Sequence, residues 1–174
     1  MTQANQRLFI AIALPPVLHE PVARIRDTLH TQLGGRCVAD TNLHLTLAFL
    51  GDTPPARIPV LQELLSLQPP ADATLQLDRI GHFGAGEKVV VWLGSSTPPD
   101  ALLAHESRLR SALQAAGFPV EARPYQPHLT LLRDARRWQS RLAPPLQWSL
   151  GPVQLFSSTP GKNGPIYTAI AAKR

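Results

Sequence analysis

His44-Leu45-Thr46-Leu47 recurs as His128-Leu129-Thr130-Leu131, 84 residues further along a chain of 174. At this composition one such tetrapeptide returns by chance with a probability on the order of one in a hundred, so an internal duplication is expected. Each copy lies in a run of strand-forming residues, Leu43 to Leu50 and Pro127 to Leu132. Side chains alternate faces along a strand, so His44 and Thr46 share one face while Leu45 and Leu47 share the other. His128 and Thr130 stand in the same relation to Leu129 and Leu131. If the leucine faces enter a core, each strand presents an imidazole and a hydroxyl about 7 Å apart on one surface. Two such strands side by side would line a groove.

Outward from the repeats, prolines and glycines mark the joints between periodic segments. A strand is expected from Arg7 to Leu14, ended by Pro15-Pro16. A helix from Val17 to Leu33 follows, with Leu18, Val22, Ile25, Leu29 and Leu33 at helical spacing and Gly34-Gly35 as its stop. A second helix is expected over Ala56 to Leu67 and a third over Pro99 to Ala116, the latter ending at Gly117. Thr74 to Ile80 and Lys88 to Leu93 are expected to form a hairpin about Gly84-Ala85-Gly86. Pro144-Pro145 reads as a break, and two closing strands, Val153 to Ser157 and Ile166 to Ala172, complete the chain. Strands and helices without strict alternation place the fold in the α+β class, in a single unit spanning residues 1–174.

Composition narrows the function classes. No apolar run approaches the roughly 18 residues needed to cross a bilayer. Met1 to Gln6 lacks the basic, apolar and small-residue succession of a secretory leader, so no membrane partner and a cytoplasmic location are expected. One cysteine, Cys37, agrees with a reducing compartment and reads as a packing or surface residue. The net charge of +5 favours acidic partners such as RNA.

The repeated residues suit displacement at phosphorus. Opening a cyclic phosphodiester requires a base on the attacking water and an acid on the departing oxygen, on opposite sides of the phosphorus. Histidine serves as either near neutral pH, and threonine hydroxyls can donate to the non-bridging oxygens. A zinc hydrolase is a weaker alternative, because His-x-Thr offers one good ligand per strand and no carboxylate or cysteine cluster accompanies it. A non-catalytic RNA-binding module would not require histidine in both strands.

Three stretches carry a family resemblance: Arg7 to Ile12; Asn42 to Gly51, with the first tetrapeptide; and Arg123 to Arg133, with the second. The chain resembles the two-histidine phosphoesterases, specifically the RNA 2′,3′-cyclic phosphodiesterases once called 2′-5′ RNA ligases. Val89 to Gly94 and Leu155 to Tyr167 extend the resemblance over nearly the whole chain. It implies two lobes related by a pseudo-twofold axis, each giving one His-x-Thr strand to a central groove, and an RNA or nucleotide substrate with a 2′,3′-cyclic phosphate end. By the resemblance His44 is the proton donor and His128 the proton acceptor; the residues themselves do not rank them. Ligation is the reverse of the same chemistry, and water at about 55 M favours hydrolysis. No metal or cofactor is expected, and the protein is expected to act as a monomer.

Other residues fit less directly. Arg133, five positions after His128, would point away from the histidine face of a regular strand, so a phosphate-binding role needs a bend; otherwise it joins Arg136, Arg137 and Arg141 in a surface run. Phe9 and Tyr125 are candidates for stacking a base, against the alternative that both are core residues. His19, His30, His82 and His105 lack paired spacing and are read as surface histidines.

Overall fold

The computed structural model describes residues 4–162 and 164–171, and nine strands and three α-helices among them. In chain order these are β1 (Gln6–Ala13), α1 (Pro16–Leu33), β2 (Arg36–Cys37), β3 (His44–Thr53), α2 (Ile58–Ser66), β4 (Thr74–Phe83) and β5 (Lys88–Gly94). They are followed by α3 (Asp100–Ala115), β6 (His128–Arg136), β7 (Arg141–Ser149), β8 (Gln154–Gly161) and β9 (Gly164–Ile170). Short 3-10 turns at Asp40–Asn42 and Pro55–Arg57 precede β3 and α2. The last residue of the expected closing strand, Ala172, lies outside the described residues.

All pairings are antiparallel, in the order β7-β4-β5-β6-β3-β1-β8-β9, with β2 also on β6. Strand β1 lies between β3 and β8, and its five consecutive buried residues, Leu8 to Ile12, suit a strand covered on both faces. The two halves of the sheet meet where β3 pairs with β6 through Leu45 and Leu129. These are the same position of each tetrapeptide, so a local twofold axis passes between them. This is the α+β class expected from the order of elements, with the pseudo-twofold relation that the family resemblance implied.

The leucine faces carry the helices. Helix α1 begins with Pro16, whose fixed φ suits a first helical position, and ends at Gly34 with a φ of 66°. It crosses from β1 to lie against β6 and β7 of the opposite half, while α2 lies against β8. Leu45, Leu47, Leu129 and Leu131 join Leu18, Val22, Leu29, Leu102, Leu109 and Leu113 in one core. Leu45 and Leu129 are fully buried, a gain of about 1.5–3 kcal/mol each. A one-residue slip of either strand would exchange these leucines for histidine and threonine, so burial enforces the register.

Two expectations require correction. Pro144-Pro145 does not break the chain but lies inside β7. That strand is at the sheet edge, and its pairing with β4 shifts register between Leu77 and Arg79, so the prolines sit in a bulge where no ladder donor is demanded. His105 is not a surface histidine: it is fully buried and neither ring nitrogen has a partner. It follows Leu102 by three residues and precedes Leu109 by four, which is core spacing on a helix. His82 also has a buried, unpartnered Nδ1. His19 is half-buried, with Nε2 3.0 Å from the Leu14 carbonyl, and His30 is exposed.

Candidate active site

Strands β3 and β6 alternate as their sequence dictates. His44, Thr46, His128 and Thr130 are half-buried, and the leucines between them are buried. Antiparallel pairing through Leu45 and Leu129 sets His44 across from Thr130 and Thr46 across from His128. The histidines thus take opposite corners of a quartet about 7 Å long and 5 Å wide at the backbone. A phosphate at the centre would have an imidazole on each side and a hydroxyl beside each imidazole. Among the described residues neither hydroxyl is engaged by another protein group.

Both rings are held alike. Nδ1 of His44 lies 2.6 Å from the Asn42 carbonyl oxygen, and Nδ1 of His128 lies 2.7 Å from that of Gln126. A carbonyl only accepts, so each Nδ1 carries a hydrogen and each Nε2 is left as the nitrogen able to exchange protons.

Aromatic rings from neighbouring strands close around each imidazole. His44 lies 4.9 Å from Phe9 and meets Tyr167 edge-on at 5.2 Å; His128 meets Phe83 edge-on at 4.8 Å, with Trp92 at 6.2 Å. Gly81 makes room for Trp92, since a Cβ there would stand 2.3 Å from the indole. Burial among these rings pushes His44 down to about 4; the Asn42 carbonyl opposes the shift, while His128 and Arg133 add to it. His128 is lowered too, mainly by burial, with Gln126 and Glu121 opposing and Arg133 adding. Both imidazoles are therefore mainly neutral near pH 7.

Arg133 reaches the groove because β6 bends. Its pairing with β5 passes from Trp92–Thr130 to Val91–Leu132, which leaves Leu131 as an extra residue. Leu131 and Leu132 are both buried, the alternation resets, and Arg133 emerges on the side of Thr130. Beyond it Asp134 has a φ of 55° and Gly35 approaches so closely that a Cβ would stand 2.5 Å from the Arg133 carbonyl oxygen. A groove of about 970 Å³ is lined by Arg36, Asn42, His44, Thr130, Arg133 and Tyr167, among others. Cys37, exposed on β2, borders it.

The two candidate stacking residues are placed otherwise. Phe9 is 4% exposed and packs against His44, Tyr167 and, in a stacked arrangement, Phe156, so it forms wall and not an open platform. Tyr125 donates its hydroxyl to the Thr46 carbonyl at 3.1 Å, joining the segment before His128 to β3; burial raises its pKa, keeping the hydroxyl a donor. Phe83, Trp92 and Tyr167 were not legible as site residues, because they reach the histidines from other strands. Among the described residues no group of three His, Cys, Asp or Glu side chains converges as a metal site would, and no helix is long and apolar enough to cross a membrane.

Residues 14–159 match the 2′-5′ RNA ligase superfamily. The RNA 2′,3′-cyclic phosphodiesterase of Escherichia coli K12 is 36% identical over 95% of this chain and 94% of its own. That of Methanocaldococcus jannaschii is 30% identical over 94% of this chain and 98% of its own. The crystal structure of E. coli LigT complexed with 3′-AMP superposes with a TM-score of 0.82 at 35% identity, covering 96% of both chains.

Proposed function

Since this chain belongs to the 2′-5′ RNA ligase superfamily, we propose that it hydrolyses 2′,3′-cyclic phosphates at RNA ends to 2′-phosphates. The observation that carries the reading is the diagonal His-x-Thr quartet, with both Nδ1 atoms tied to backbone carbonyls so that each ring has its Nε2 for proton exchange.

The anionic cyclic phosphate binds between the rings. The Thr46 and Thr130 hydroxyls and the Arg133 guanidinium donate to its non-bridging oxygens, whose charge must be held in the transition state. Water attacks phosphorus and gives its proton to Nε2 of His128. The bond from phosphorus to O3′ breaks, and Nε2 of His44 protonates the departing oxygen. One water is consumed, and the products are a 2′-phosphate and a free 3′-hydroxyl. His44 must be protonated to begin, and the substrate's negative charge favours that form against the burial that opposes it. No step requires a metal. Both histidines come from one chain, so the chemistry needs no second copy, and the single cysteine is in keeping with the cytoplasm.

Incubation with an RNA oligonucleotide ending in a 2′,3′-cyclic phosphate, followed by product mapping, tests the proposal. A 2′-phosphate formed equally with and without EDTA is expected. A 3′-phosphate would exchange the roles of the two histidines, and activity lost to EDTA and restored by one metal would overturn the mechanism.

A further inference from the structure

Arg26 is a charged residue on the apolar stripe of α1, between Val22 and Leu29, and is 9% exposed. Its Nη1 donates to the Val38 carbonyl at 2.7 Å and pairs with Asp40, and its Nε donates to Asp27 at 2.8 Å. Val38 and Asp40 belong to the strap that leads into His44. Beyond them the chain turns tightly, with Asn42 N–H on the Ala39 carbonyl at 2.8 Å and Leu43 N–H on that of Asp40 at 3.2 Å. The Asn42 carbonyl at the end of this turn holds Nδ1 of His44. We infer that Arg26 is a positioning residue for His44, clamping Val38 and Asp40 so that the turn presents the Asn42 carbonyl to the ring. The inference rests on the reading of His44 as a member of the acid–base pair.

Among the described residues the other half of the molecule shows no such clamp. The residue 84 positions after Arg26 is Arg110, on α3. Its guanidinium donates to Glu106 of the same helix, at 2.9 and 2.7 Å. The segment before His128 is instead tied down by the Tyr125 hydroxyl on the Thr46 carbonyl. Loss of the Arg26 clamp should therefore reach His44 and spare His128. A buried guanidinium contributes little net stability that an apolar side chain of similar volume would not, whereas none of the apolar residues can hold Val38 and Asp40. Position and stability are thus separable at this residue.

The test compares Arg26→Met and Arg26→Lys with Arg24→Met, an exposed arginine of the same helix. In the full-length protein without substrate, the His44 and His128 rings are titrated by NMR; kcat and KM are then measured on an RNA oligonucleotide with a 2′,3′-cyclic phosphate. The other groups facing His44, namely His128, Arg133 and Tyr167, are unchanged in all three variants. Arg26→Met should lower kcat about 10- to 100-fold with KM altered less than about threefold. Its His44 Nδ1–H signal should move toward that of an unbonded ring and its midpoint should fall, because the carbonyl bond favours the charged form; His128 should titrate as before. Arg26→Lys should restore part of both, and Arg24→Met should match wild type. Unchanged His44 titration, or equal changes at both histidines, would overturn the clamp. If Arg26→Met fails to fold by circular dichroism, Arg26→Lys and Asp40→Asn carry the same two readouts. A wild-type protein inactive on the RNA would refute the proposed function, while the His44 signal would still decide the role of Arg26.

Discussion

Removing the Tyr167 ring should let water reach His44 and move the pH dependence of turnover. Burial is the largest cause of the low His44 pKa, about 4, and Tyr167 stands edge-on against the ring at 5.2 Å. At pH 7 a group with that pKa is protonated in about one molecule in a thousand, against about one in four for a histidine at 6.5. One imidazole must be protonated and the other neutral, so kcat/KM, which reports the free enzyme, should follow a bell. Since both histidines are lowered, both limbs should lie below pH 6.5, whichever ring is the donor. In kcat the bound anion should move the alkaline limb upward, by about one to three pH units. Tyr167→Ala should raise the His44 midpoint toward 6.5 and move the limb of kcat/KM that His44 sets with it. Initial rates on a cyclic-phosphate RNA between pH 4 and 9 at constant ionic strength read the limbs, and NMR titration of His44 reads the cause. A wild-type kcat/KM that keeps rising from pH 6.5 to 8.5 would refute the argument, as would a His44 midpoint unmoved by Tyr167→Ala.

Four further outcomes are expected. His44→Ala and His128→Ala should each reduce turnover at least about 100-fold, and the double variant less than the product of the two; a folded single variant keeping more than about a tenth of wild-type turnover would mark that ring as a binding group. Thr46→Ala and Thr130→Ala should cost about 10- to 150-fold, as the loss of one donor to a charged oxygen, and steady-state kinetics in which both matched wild type would remove the hydroxyls from the phosphate site. Stability should rise with pH between about 4 and 6.5, where the unfolded chain binds more protons than the folded one because His44 is depressed; His44→Gln should flatten the dependence of Tm on pH in that window, and an unchanged slope would contradict the buried state of the ring. Gly35→Ala should destabilise the fold and shift the bend that delivers Arg133, raising KM more than it lowers kcat; a wild-type Tm and KM would show that the close approach is dispensable.

Much of the site was legible because strand alternation is a local property. A residue with period two declares its face without reference to any partner, so the pairing of imidazole with hydroxyl on one side, and leucine on the other, could be read in both tetrapeptides. The helices were legible for the same reason, from spacing and from the glycines that end them. Ends shifted by a few residues, as where a 3-10 turn takes the start of the second helix.

Whatever depends on contacts between distant segments was decided by the tertiary structure alone. Burial of Leu45 against Leu129 sets the histidines diagonally, and no local pattern specifies which residues of two strands 84 positions apart will pair. The bulge at Leu131 reverses the direction of Arg133, because pairing with β5, not the sequence of β6, inserts the extra residue. The rings that desolvate His44 and His128 arrive from β1, β4, β5 and β9, and the low pKa values follow from that assembly. The amino-acid sequence by itself determined which side chains share a face, since that follows from the geometry of one strand. The folded chain decided how far apart, how dry and how charged their surroundings are, because those depend on what packs against them.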